Sequence, residues 1–335
     1  MDLEKLKYFL RKNNQPKFRF EQITKAIFQD GLLDFSAMTN LPKNLREELN
    51  RKIKILPFVS ENILVSKDKK TKKILLKLND GNFVETVLMS VQPSEWTVCV
   101  SSQVGCPMNC AFCATGQGGF KRNLTAEEIV GQVLAWGRPR VNNIVFMGMG
   151  EPFLNWENVK ESLRILIDKD LCNFGARSIS ISTVGLPGFS KKLLESFPQV
   201  NLAVSLHFAS DKKRLQFMPA NKSLDLKGLK RELEGYFLAS NRKVFLEYIL
   251  FSGINDSEKD AKELADYIKT FSKKHLLHVN LINYNETGGK FHSVSLEHAQ
   301  KFKNFLLRQK INCTVRKSLG VDIQGACGQL AGRTS

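Results

Sequence analysis

Thr97-Val-Cys-Val100 and, a few residues on, Cys106-Pro-Met-Asn-Cys110-Ala-Phe-Cys113 decide how this chain is to be read. The first is a short β-type segment. The second sets three thiols at spacings of x3 and x2, a pattern that marks metal ligands far more often than accident. A cubane iron–sulfur cluster offers four irons, ordinarily with a thiolate on each. Three thiolates, from Cys106, Cys110 and Cys113, leave one iron open to an external ligand, as catalytic metal centres do and structural ones do not. A structural zinc site completed by a fourth residue and three unliganded cysteines are the alternatives.

Outward from the cysteines, β-type and helical segments alternate from about residue 95, the signature of a parallel sheet. Strands are expected at 97–100, 143–147, 178–182, 202–205, 244–249 and 279–282. A helix begins at Thr125, where Thr-x-x-Glu128 forms a capping box, and ends near Trp136. Others run from about 156 to 168 and around 193, 232, 264 and 302. Six such units are too few for a closed eight-stranded barrel. They predict an α/β fold, a partial (β/α)6 barrel open on one side, with a doubly wound sheet as the competing architecture. Ligands of barrels sit at the C-terminal ends of the strands. That rim would carry the cysteine loop, Gly148-Met-Gly-Glu151, Ser182-Thr183, Ser205-Leu206-His207 and Asn283 to Asn285.

Upstream, residues 1–55 read as a small helical accessory unit, with Phe20, Ile23 and Ile27 on one helical face. Residues 56–94 read as a short antiparallel meander. Its turn, Lys67-Asp-Lys-Lys-Thr-Lys-Lys73, is either a phosphate contact or a solvated tip. Residues 95–335 form the barrel and a C-terminal segment. Hydrophobic residues at 42% exclude global disorder. No run of about 18 apolar residues occurs, and Met1-Asp-Leu-Glu-Lys5 lacks a signal-peptide core, so a cytoplasmic protein without a membrane partner is expected. Seven cysteines, three of them clustered, do not make a secreted disulfide framework; Cys172 and Cys313 read as ordinary thiols. Fifty Lys+Arg against 33 Asp+Glu give a net charge of +17, which points to a polyanionic partner, nucleic acid first. A merely solvated basic surface is the plainer reading. No zinc-finger or helix-turn-helix signature supports reading of a duplex major groove. Near the C-terminus, Cys327 lies between Gly325-Ala326 and Gly328, on a segment read as flexible and sterically open. That suits a mobile thiol or, more plainly, a tail turn.

Six stretches in order resemble a known family: Cys99-Val-Ser-Ser-Gln-Val-Gly-Cys106 through Cys113-Ala-Thr-Gly116, Gly148-Met-Gly-Glu-Pro-Phe-Leu-Asn155, Ile181-Ser-Thr-Val-Gly185, Ser205-Leu-His207, Met218-Pro-Ala-Asn221 and Ala326-Cys-Gly-Gln-Leu330. The chain resembles the radical S-adenosylmethionine adenine-C2 methyltransferases of 23S rRNA, which also methylate an adenine of tRNA beside the anticodon, and does so from Phe18-Arg-Phe-Glu-Gln22 to Leu330. The resemblance implies a [4Fe–4S] cluster on Cys106, Cys110 and Cys113, and two S-adenosylmethionine molecules per turnover. One methylates Cys327; the other, cleaved at the cluster, yields a 5′-deoxyadenosyl radical that takes hydrogen from that S-methyl group. The methylene radical adds to C2 of adenine, joining protein to RNA. Glu85 matches the acceptor of the C2 proton, and Cys99 the resolving cysteine that forms a transient disulfide with Cys327. Gly150, Glu151, Ser182, Ser205, Leu206, His207 and Asn285 match the positions that hold S-adenosylmethionine. An external one-electron donor such as flavodoxin, and action as a monomer, are likewise expected.

Taken alone, Glu85 would read as a strand residue on a solvated face, and His207 as a hydrogen-bonded interior histidine. The chain departs from its relatives at Gln324 and Gly325, and at Glu286, where proline is usual. Two other functions are weighed. A related methyltransferase of C8 on the same adenine confers antibiotic resistance, but carries alanine where this chain has Pro152. A non-catalytic, zinc-containing RNA-binding factor would need a fourth ligand, and none is evident nearby.

Overall fold

In a computed structural model that describes residues 1–92, 94–137 and 141–332, the β-type runs join one ten-stranded sheet. Its first half is antiparallel: β1 (Phe58–Val65), β2 (Thr71–Leu78) and β3 (Phe83–Gln92) form the expected meander, and β3 pairs antiparallel with β4 (Glu95–Cys99). The meander therefore continues the sheet of the barrel. The short β5 (Gln103–Gly105) and β6 (Phe120–Asn123) pair with each other apart from it.

From β4 the strands are parallel and strictly sequential: β7 (Asn143–Phe146), β8 (Ile179–Thr183), β9 (Asn201–Ser205), β10 (Val244–Leu250), β11 (Leu277–Asn283) and β12 (Cys313–Arg316). A doubly wound sheet reverses its strand order at a switch point, and this one does not, so the sheet is that of an opened barrel. Alternation sets each face. In β8 the isoleucines at 179 and 181 are fully buried, while Ser180 and Ser182 lie on the other side, half-buried. β12 is a seventh parallel strand that the sequence pattern does not announce. Only four residues long, with Cys313 buried and Thr314 and Arg316 exposed, it carries too little hydrophobic pattern to be seen. Because β12 runs parallel to β11, the chain leaves it on the rim that bears the cysteine loop.

Helices cover the sheet. α4 (Ala114–Gln117) closes the cysteine loop. α5 (Ala126–Ala135) starts at the expected capping box, Thr125 and Glu128 each bonding the other's backbone. α6 (Trp156–Ile167), α7 (Phe189–Ser196), α8 (Asp211–Phe217), α9 (Leu226–Ser240), α10 (Glu258–Lys269) and α11 (Leu296–Arg308) follow. At the N-terminus, α1 (Leu3–Lys12), α2 (Phe18–Phe28) and α3 (Lys43–Lys52) bury Leu6, Ile23, Ile27 and Leu49 in the same continuous core that holds Val98, Ile144 and Ile181 of the barrel. No helix among the described residues is long and apolar enough to cross a membrane. The expected C-terminal boundary, 335, lies outside the described residues.

Candidate active site

The cysteine loop leaves β4 and is braced from three sides. Cys106 N–H donates to Gly119 O at 2.9 Å, and Ala111 N–H to Phe217 O at 3.0 Å. Gly105 sits at φ +75°, where a Cβ would lie 1.8 Å from Gly119 O, so only glycine lets the two backbones meet there. Beneath the loop, Phe112 is buried in an aromatic cage: its ring meets Phe251 at 5.1 Å and His207 edge-on at 5.2 Å, with Phe208 and Phe291 further out. Cys110 is buried with this cage, while Cys106 and Cys113 are half-buried. Burial lifts the Cys106 thiol to about 12 and the Cys110 thiol well above its ordinary value, and neighbouring cysteines of the triad add to both shifts. Thiols grouped in this way suit a cationic centre, since a coordinating thiol is deprotonated outright. This donor set fits a [4Fe–4S] cluster.

The second strand end is locked to the first. Met149 N–H donates to Ser101 Oγ at 2.9 Å, and Glu151 N–H to Gln103 Oε1 at 2.8 Å. Asn155 donates to the carbonyls of Ser102 and Leu124, each at 2.7 Å. Glu151 is buried, one carboxylate oxygen accepting from Phe153 N–H and the other from Val184 N–H just beyond β8. Burial nonetheless pushes its carboxyl up to about 7, because hydrogen bonds from N–H groups only partly offset the loss of water. Gly150 has φ +99°, and a Cβ there would approach Gln103 Cβ to 2.6 Å and its backbone nitrogen to 2.8 Å. Gly150→Ala is expected to destabilise the fold by about 2–4 kcal/mol, visible as a lower denaturant midpoint; an unchanged midpoint would mean that the turn relaxes freely.

Further along the rim, Ser182 Oγ and Ser205 Oγ lie 3.4 Å apart across neighbouring strands. The Leu206 side chain is fully buried, so only its backbone faces this region. His207 is the interior histidine that the residue alone suggested. Its Nδ1 accepts from Ile249 N–H at 3.3 Å, and burial, aided by the nearby Arg214 charge, lowers its pKa to about 3, keeping it neutral.

The C-terminal segment, expected to be loose, is docked against all of this. Asn285 Nδ2 donates to Cys327 O at 3.1 Å, Ala114 N–H donates to Gly328 O at 2.8 Å, and Gln329 Nε2 donates to Glu286 O at 3.0 Å. The flanking glycines leave this grip intact because the bonds run to backbone carbonyls and to Gln329. Cys327 thus sits one residue from a direct contact with the residue that follows Cys113. The residue is exposed, but its thiol lies within the barrel mouth, and that burial, with Glu247 nearby, raises its pKa. Cys99, at the end of β4, is buried; loss of water raises its thiol's pKa, and Cys327 is close enough to add to the shift. No disulfide joins them.

Glu85 is not on a solvated face. Lying on β3, it is buried, with Oε2 accepting from Ala331 and Gly332 N–H at 2.6 and 2.9 Å, and Oε1 paired with Lys73 at 2.7 Å. Lys73 leaves the basic turn for the interior, while Lys67, Lys69 and Lys70 remain exposed. A cavity of about 650 Å³ opens here, its wall including Lys73, Glu85, Glu286, Gln324 and Gln329. All three atypical positions therefore lie in or beside that wall. The polar braces at Ser101, Gln103 and Gln132 and the aromatic cage are site features the motif reading passed over; a chain with 23 phenylalanines was the available hint of the cage.

A three-thiol loop after the first of a sequential set of parallel strands, with glycine, serine and asparagine on the same rim, defines a radical S-adenosylmethionine protein. The profile of the Radical SAM superfamily matches residues 100–268, and that of the ribosomal RNA large subunit methyltransferase N-terminal domain matches residues 1–55. The chain is 43% identical over 321 residues, 95% of its length and 93% of the relative's, to a probable dual-specificity RNA methyltransferase RlmN of Thermosipho melanesiensis. It is 42% identical over 333 residues, 99% and 95% of the two chains, to a dual-specificity RNA methyltransferase RlmN of Geotalea uraniireducens. A radical SAM methyltransferase from Sphaerobacter thermophilus superposes with a TM-score of 0.93 at 41% identity, covering 99% of this chain and 98% of that one. The chain belongs to the RlmN family of dual-specificity, radical S-adenosylmethionine RNA methyltransferases.

Proposed function

We propose that this enzyme methylates C2 of an adenine in 23S rRNA, and of the adenine beside the anticodon in tRNA, with Cys327 as methyl carrier. The observation that carries the reading is the Ala114 N–H to Gly328 O bond, which sets the carrier cysteine beside the cluster cysteines. An adenine C2–H is not acidic and its carbon is electron-poor, so it cannot attack an electrophilic methyl group. When bound, the cluster supplies the electron that turns S-adenosylmethionine into a source of a hydrogen-abstracting radical.

The chain's own residues do the rest. Gly150 and Glu151 hold the amino end of S-adenosylmethionine; a carboxyl already pushed up by burial regains its charge beside an ammonium. Ser182, Ser205, the Leu206 backbone, His207 and Asn285 take the carboxylate, ribose and base. Cys327 presents its S-methyl group to the target adenine in the cavity beside Glu85. Once that methyl has lost a hydrogen atom and its carbon has bonded to C2, the adduct holds one unpaired electron, which would pass back to the cluster while the carboxylate takes the C2 proton. Cys99 attacks the Cys327 sulfur; an S–S bond forms, the C–S electron pair stays on carbon, and a proton completes the methyl group. Lys67, Lys69 and Lys70, exposed on the turn before Lys73, and the helical unit 1–55 grip RNA phosphates, while the target base turns out of its stack. A flavodoxin-type donor, a monomer and a cytoplasmic setting complete the picture, with residues 56–94 as a β extension and 95–335 as barrel and carrier segment.

Anaerobic reconstitution with isotopically labelled S-adenosylmethionine and protein-free rRNA, followed by nucleoside analysis, is expected to give label in C2-methyladenine. Label at C8 would replace this reading by that of the resistance-type enzyme. Pro152, where the resistance-type enzyme carries alanine, supports C2.

A further inference from the structure

The reaction as described gives no part to Lys73, a buried cation. Lys73 stands on β2, opposite Val87 of β3, while Glu85 stands opposite Leu75; the two are diagonal neighbours on one face of the pair. Both side chains are under a tenth exposed, and Lys73 Nζ lies 2.7 Å from Glu85 Oε1. The same ammonium donates to Gln324 O at 3.1 Å, three residues before Cys327. The far carboxylate oxygen accepts from Ala331 and Gly332 N–H, four and five residues after it. One ion pair thus grips the carrier segment on both sides of its thiol. A buried pair of this kind is strongly dependent on both members, since removing either strands the other's charge.

We propose that Lys73 is a positioning residue whose ion pair with Glu85 clamps the segment 324–332, and that arrival of the C2 proton on Glu85 opens the clamp. The opening step rests on the function proposed above, in which Glu85 accepts that proton; the clamp itself does not. The carboxylate becomes a neutral acid, the C–H electron pair stays with the adenine ring, and Lys73 remains an ammonium. Charge-assisted hydrogen bonds are roughly twice as strong as neutral ones, so one proton weakens three contacts to the segment and its partner together. The segment is therefore held while carbon is transferred, and is loosened when the product must leave.

The test reads the Cys327 thiol in the cluster-loaded enzyme, without RNA and without turnover. Alkylation by iodoacetamide under anaerobic conditions, followed by peptide mass spectrometry, is expected to be about tenfold faster in Lys73→Met than in wild type, with Cys313 at the opposite end of the barrel labelled as slowly as before. Glu85→Gln, an isosteric stand-in for the protonated acid, is expected to give the same acceleration, and the double variant no more than either single one. Wild-type alkylation in Lys73→Met overturns the clamp. Acceleration in Lys73→Met with none in Glu85→Gln overturns the proton-driven opening, and additive effects overturn the shared action of the pair. Faster labelling of Cys313 would mean that Lys73→Met has unfolded, and Glu85→Gln then decides alone. Since no methylation is read, failure of the C2 assignment leaves these outcomes unchanged.

Discussion

Cys327→Ala is expected to lower RNA methylation at least about 10⁴-fold, a loss above ~5 kcal/mol of transition-state stabilisation. The magnitude follows from the role: a covalent carrier has no substitute, unlike a hydrogen-bond donor whose neighbours make up part of its loss. The substitution costs little elsewhere, because Cys327 is an exposed residue and alanine only shortens its side chain. The segment is held by the Cys327 carbonyl and by Gly328, Gln329 and Leu330, none of which the change touches. Intact-protein and peptide mass spectrometry would show no added methyl on the variant, while its visible cluster absorbance matches wild type. Methylated RNA at wild-type yield would end the carrier reading.

Cys99→Ala has the opposite outcome: the carbon is transferred and the product cannot leave. Turnover is expected to convert most of the enzyme into a covalent RNA–protein species, seen as a shifted band on a denaturing gel and removed by ribonuclease. Wild type should show almost none. The placement supports this, since Cys99 lies at the end of β4 under the mouth, with Cys327 near enough to affect its ionisation. Burial holds Cys99 as a thiol at neutral pH, so it stays inert until a proton acceptor is at hand. Free RNA released normally by the variant would refute the resolving role.

How much of this was legible beforehand differs by residue. The parallel strands β4 and β7 to β11 and the helices α5, α6, α7, α9, α10 and α11 declare themselves through alternation and capping, because half-buried elements must repeat their apolar residues at the period of their backbone; the short β5, β6 and α8 do not. The cysteine loop declares itself through spacing. β12 does not, since four residues with one buried side chain have no period. Glu85 and Lys73 are hidden for a different reason. On one strand each looks like a surface charge, and only the β2–β3 register, with a tail some 240 residues away in sequence, turns them inward as a pair. His207 shows the converse: its neutral, enclosed ring is what the sequence alone favours.

The sheet is open in its strand order, with β12 at one margin and β1 at the other. Yet the chain that leaves β12 crosses to the opposite side, where Asp322 accepts from Lys67 N–H, Gly320 rests on Thr71, and Gly332 meets Phe83 O. The molecule completes its own hoop with the stretch that holds Cys327. On the proposed function, any excursion of Cys327 slackens that ring, so catalysis and the mechanical closure of the barrel draw on the same few residues.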